Sequence, residues 1–83
     1  MTLIDRLYKL DGADNRIDVL VELALFKPDA NYKSIRANTA GTKVIFTRTG
    51  GKRQTCWADE HTLTPESRAE CIALLREKEA RKL

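Results

Sequence analysis

The sequence predicts an α+β domain of order α-α-β-β-β-α, a three-stranded antiparallel sheet with helices packed on one face. Two observations carry this. Apolar residues recur with helical spacing near both ends of the chain, whereas the middle alternates and is rich in Val, Ile, Thr, Phe and Trp. Glycine-bearing breaks at Ala40-Gly41 and Gly50-Gly51 then cut the middle into three short runs. With 83 residues, 42% apolar and 33% charged, the chain has the size and balance of one globular domain with a modest core. The expectation is a single domain over residues 1–83 whose last residues fray.

Thr2, with Asp5 three positions later, opens the first helix as a capping-box variant. Leu3, Ile4, Leu7, Tyr8 and Leu10 form its apolar stripe. The connector DGADN (11–15) stops it and supplies the next N-cap from Asp14 or Asn15. Ile17, Leu20, Val21, Ala24 and Leu25 then repeat with the spacing of a core-facing helix. Lys27-Pro28 ends that helix, because the residue before proline is pushed out of the helical region.

The runs YKSIRANT, TKVIFTRT and KRQTCWA read as a meander. Gly50-Gly51 suits a two-residue hairpin loop, which pairs Val44 with Trp57, Phe46 with Thr55 and Arg48 with Arg53. For the first hairpin, a type I turn over Asn38–Gly41 would put Arg36 on the face of Val44. A two-residue Ala40-Gly41 loop instead pairs Ile35 with Phe46 and Ala37 with Val44, and so buries the apolar residues together. Burial selects the second, because a one-residue slip exchanges the two faces. The helix-covered face is then Ile35, Ala37, Val44, Phe46, Thr55 and Trp57. The open face carries Ser34, Arg36, Asn38, Lys43, Ile45, Thr47, Lys52, Gln54 and Cys56. In the last helix Thr64 is the N-cap, Pro65 takes the first helical position, and Ile72 and Leu75, with Ala69 and Cys71 or Leu74, supply the apolar side.

The net charge of +3 is unevenly spread. Lys27, Lys33, Arg36, Lys43, Arg48, Lys52 and Arg53 stand in residues 27–58 against Asp29 alone, while the flanking segments are slightly acidic. No apolar run approaches the ~20 residues of a membrane span. The opening MTLIDRLYKL lacks the basic and apolar blocks of a secretory signal, so a cytoplasmic location is expected.

Catalytic and metal motifs are not visible in the chain. Cys56 and Cys71 read as reduced, partly buried thiols. A structural zinc site favours paired ligands, and Cys56, His61 and Cys71 are isolated singles. His61 therefore reads as a surface histidine in the turn before the last helix. The carboxylate pairs Asp14/Asp18, Asp59/Glu60 and Glu66/Glu70 read as solvated, without the desolvated pocket that general acid catalysis needs. Gly50-Gly51 lacks the spacing and following helix of a phosphate loop. The expectation is a protein that is not an enzyme and needs no cofactor or metal.

The basic middle has two readings. Cations on strands discourage edge pairing and keep a sheet soluble. They also attract phosphates or an acidic protein patch, with Arg36, Lys43, Arg48, Lys52 and Arg53 as the binding residues. Stacking on single strands needs exposed aromatics. Phe46 and Trp57 are placed inward here, which leaves Tyr32 as the one free candidate. The expected state is a monomer, or a weak homodimer through Ile45 and Cys56.

Leu3, Ile4, Asp5, Arg6 and Leu7, followed by the connector from Gly12 to Ile17, give this chain a helix pair that resembles the opening of small phage and prophage proteins of alphaproteobacteria. The likeness covers about a quarter of the chain and does not include the basic hairpin. It implies a phage-type binding protein in the host cytoplasm, with anti-CRISPR proteins as the best-known such group. On that resemblance the chain would cover an acidic or nucleic-acid-binding surface of a host CRISPR effector complex and block target-DNA binding. The alternative is a small basic domain that contacts nucleic-acid phosphates non-specifically.

Overall fold

The computed structural model describes residues 2–81 and has the predicted element order: α1 (Leu3–Lys9), α2 (Asn15–Leu25), β1 (Tyr32–Ala37), β2 (Lys43–Arg48), β3 (Arg53–Trp57) and α3 (Pro65–Arg81). α3 persists to Arg81, and the expected fraying of the last two positions lies outside the described residues. No helix among the described residues is long and apolar enough to cross a membrane.

The helix ends follow the local chemistry. The Thr2 hydroxyl accepts the Asp5 N–H at 3.1 Å and the Asp5 carboxylate accepts the Thr2 N–H at 3.2 Å, a reciprocal box that opens α1. These bonds to the charged form hold the Asp5 carboxyl below its ordinary value. Asp14 caps α2 by accepting from the N–H groups of Arg16 and Ile17. Thr64 Oγ1 accepts the Ser67 N–H at 3.0 Å at the start of α3.

α2 is the shared element. Its residues Ile17 and Val21 meet Leu7 of α1 and Cys71, Ile72 and Leu75 of α3 in one apolar cluster. Val19, on the other side of the same helix, joins Val44 and Ala58 in a second cluster with Leu23, Ile35, Ala37, Phe46 and Cys56 around it. Positions two apart on a helix point roughly 200° away from each other, so α2 carries two apolar stripes where the sequence analysis identified one. α1 and α3 pack against α2 and each other, and only α2 packs on the sheet, over β1 and β2. The last helix buries Cys71, Ile72 and Leu75, while Ala69 and Leu74 are exposed.

The sheet has the order β1-β2-β3, antiparallel throughout. The β1–β2 register is the one chosen from burial, with Ile35 facing Phe46 and Ala37 facing Val44. Its loop is longer than two residues. Gly41 N–H bonds back to the Asn38 carbonyl at 3.0 Å, Gly41 has φ of 71°, and the Asn38 side chain accepts from the N–H groups of Thr42 and Lys43.

The β2–β3 register differs from the expectation by one residue: Lys43 faces Trp57, Val44 faces Cys56, Phe46 faces Gln54 and Thr47 faces Arg53. The cause is the turn. Arg48 N–H donates to the Lys52 carbonyl at 2.7 Å and Gly51 N–H to the Arg48 carbonyl at 2.8 Å, closing a three-residue loop, Thr49-Gly50-Gly51. Only Gly51 of the pair has positive φ, at 93°. That is a type I turn followed by one left-handed residue, the standard three-residue hairpin connection.

Candidate nucleic-acid interface on the open sheet face

The shifted register turns β3 over. Trp57 and Thr55, expected beneath the helices, lie on the open face, and Cys56 and Gln54 lie on the other. Trp57 is 65% exposed. Its outward position has a packing reason as well: no helix lies over β3, so the covered side has no depth there for an indole. Cys56, a small half-buried side chain, fits against the edge of the second cluster instead.

Cross-strand pairing arranges the open face in rows. Ser34, Thr47 and Arg53 form one, Arg36, Ile45 and Thr55 the next, and Lys43 with Trp57 the third. Three cations therefore share this face with one indole, and none of its strand positions is acidic; Asp18 and Glu60 line a cavity with Trp57 at the end of β3. Lys43 Nζ lies 4.6 Å from the Trp57 ring centroid, a cation–π contact on one face of the indole. Arg36 and Arg53 are exposed, and neither they nor Lys43 forms an ion pair among the described residues.

The five basic residues expected to bind thus divide. Arg36, Lys43 and Arg53 share the open face. Arg48 lies on the other side, its guanidinium 5.5 Å from the Tyr32 ring, and it neither faces Arg53 nor shares its surface. Lys52 sits at the tip opposite Arg48 and does not extend the open face as a strand residue. Tyr32, expected to be the free aromatic, packs on Phe46 at 5.3 Å, with Phe26 on the same ring at 6.2 Å. Tyr32 and Trp57 have exchanged roles.

Two of the residues expected to be solvated are also placed differently. Asp18 is 5% exposed and holds the fully buried Thr62. His61 is half-buried, with Nε2 2.8 Å from Glu22 Oε1. Both cysteines are free, and burial raises each thiol above its ordinary value, helped at Cys56 by Glu22 and Asp59. The signal that could have found Trp57 was the third loop residue: TGG accommodates a left-handed glycine at its last position as readily as GG forms a two-residue turn.

No protein-family model, curated protein or solved structure matches this chain.

Proposed function

We propose that the protein binds single-stranded nucleic acid across its open sheet face, with Trp57 as the stacking platform and Lys43, Arg36 and Arg53 as phosphate contacts. One observation carries the reading: an exposed indole with Lys43 over its ring shares a sheet face with Arg36 and Arg53, and no strand position on that face is acidic. A base can stack on the ring face that Lys43 leaves uncovered, and such stacking is sequence-tolerant because every base has a π face. Thr47, Thr55 and Ser34 add hydroxyls that can both donate and accept. The face is about three strands wide, roughly 10 Å between the outer strands. That suits a short stretch of strand and gives no groove for reading duplex base edges.

The chain's one tryptophan makes the test direct. Titration with a short thymidine oligonucleotide is expected to quench Trp57 fluorescence. Three phosphate contacts predict a slope of about −2 for log affinity against log salt. Trp57→Ala should weaken binding, followed by anisotropy of a labelled strand, by roughly 5- to 160-fold, the range that loss of one stacked base implies. The inhibitory reading uses the same cations against an acidic protein surface. It is the outcome if oligonucleotides neither quench the indole nor bind, while Arg36→Glu abolishes capture of a protein complex from host cells. In that case the nucleic-acid reading fails.

A further inference from the structure

Away from the open face, the fold brings together three side chains that the sequence keeps apart. Glu22 comes from α2, and Asp59 and His61 from the connection between β3 and α3. One ligand atom from each, a carboxylate oxygen from Glu22 and Asp59 and a ring nitrogen from His61, lies within 4.8 Å of the other two. Four ligands about 2 Å from a tetrahedral ion stand roughly 3.3 Å from one another. The His61–Glu22 separation of 2.8 Å needs only a small opening to admit an ion.

The cluster sets two carboxylates against one imidazole, and of the three side chains only Asp59 is exposed. No lysine or arginine forms an ion pair with Glu22 or Asp59 among the described residues. Glu22 and His61 are also largely withdrawn from water, with side chains 19% and 25% exposed, where uncompensated charge is costly. A divalent cation matches the two carboxylates in charge and leaves the imidazole nitrogen as a further ligand.

The mount is rigid. Thr62, next to His61, is fixed by two bonds to Asp18 at 2.8 Å each and by the Asp14 N–H at 2.7 Å, and Arg68 donates to its carbonyl at 2.8 Å. His61 N–H donates to the Asp59 carbonyl at 2.8 Å, and the Cys71 thiol donates to the His61 carbonyl. Donors held this way lose little freedom when an ion arrives.

We infer that Glu22, Asp59 and His61 form a binding site for one divalent transition metal of the zinc type, with three protein ligands and the remaining coordination open to solvent. Imidazole nitrogen selects against magnesium and calcium, which prefer all-oxygen sets, and an N/O/O set with an open position suits Zn²⁺. The site is independent of the open face and of the nucleic-acid reading.

The experiment uses the full chain, stripped with a chelator and titrated with ZnCl₂ by calorimetry near neutral pH, with parallel thermal melts. One equivalent is expected to bind. At a hundredfold excess over Kd the melting temperature should rise by roughly 10 °C or more, and MgCl₂ should leave it unchanged. His61→Ala, Glu22→Gln and Asp59→Asn should each weaken Zn²⁺ binding at least tenfold, with far-UV circular dichroism confirming that each remains folded. Cys56→Ala should keep the wild-type affinity. Absence of a Zn²⁺ shift in the folded wild type, equal affinity in all three ligand variants, or loss of binding in Cys56→Ala would overturn the assignment.

Discussion

Thr62→Val removes one hydroxyl from the least accessible polar side chain among the described residues and replaces it with a methyl of the same size. Thr62 is 0% exposed, and its Oγ1 donates to Asp18 Oδ1 at 2.8 Å while accepting the Asp14 N–H at 2.7 Å. The first bond is charge-assisted and contributes about 1.5–3 kcal/mol. The second, once lost, leaves the partly buried Asp14 N–H without its acceptor, for about 1 kcal/mol more. Asp18 keeps the Thr62 N–H as partner, so its carboxylate is not stranded. The expected loss is therefore about 3 kcal/mol, a large share of the roughly 4–12 kcal/mol typical for a chain of this length. Since 1 kcal/mol moves the melting point of so small a domain by about 4–8 °C, the shift should be near 15 °C. Far-UV circular dichroism in urea and on heating measures it, with an unchanged m-value showing that stability alone has moved. Thr62→Ser keeps the hydroxyl and should lose only about 1 kcal/mol, the lost methyl. A Thr62→Val protein within about 0.5 kcal/mol of wild type would refute the hydrogen-bond accounting, as would a serine variant destabilised as much as the valine one.

Three further outcomes follow from the register and the buried thiol. Because Gly51 alone of the Gly50-Gly51 pair has positive φ, Gly51→Ala should cost about 1–2 kcal/mol and Gly50→Ala well under about 1 kcal/mol. Equal costs in urea denaturation would restore the two-residue loop and put Trp57 back inside. Arg53→Gln should weaken oligonucleotide binding and lower the salt slope by about 0.7, whereas Arg48→Gln, on the opposite face, should leave both nearly unchanged. The Cys71 thiol is raised above its ordinary 9.0 by burial, then by Glu70, Asp18 and Glu22. The unfolded chain therefore gives up this proton first, so stability is complete below pH 9 and falls above it. Cys71→Ala, measured by urea midpoint against pH, should have a shallower alkaline decline.

Much of this architecture was legible because it rests on local chemistry. Thr2 and Asp5, Asp14, and Thr64-Pro65 mark helix starts by hydrogen-bonding capacity and fixed φ, which are properties of a few adjacent residues. The first hairpin register was legible because Ile35, Ala37, Val44 and Phe46 are apolar together in only one alignment. The second hairpin offered no such discrimination. Val44 and Phe46 stay inward in either register, and β3 offers Thr55 with Trp57 or Gln54 with Cys56 as their partners. Choosing Trp57 for the interior follows the usual behaviour of aromatic residues, but it assumes a cover over β3 that α2 alone is too narrow to provide. The Glu22, Asp59 and His61 cluster was hidden for a different reason. Glu22 is separated from the other two by a whole meander, and long-range contacts such as the Thr62–Asp18 and Thr62–Asp14 bonds and the Val19–Ala58 packing bring the connection back to α2. The second stripe of α2, Val19 and Leu23, was present in the sequence but overshadowed by the stronger one.

That doubly apolar α2 also fixes how the molecule can come apart. A sheet peeled from it would present Val44 and Phe46 to water, and helices peeled from it would present Leu7, Ile72 and Leu75. Neither half retains an interior of its own. Loss of α2 from either partner therefore removes the support of both, and denaturation should proceed as one concerted event, with sheet and helix signals vanishing at the same midpoint.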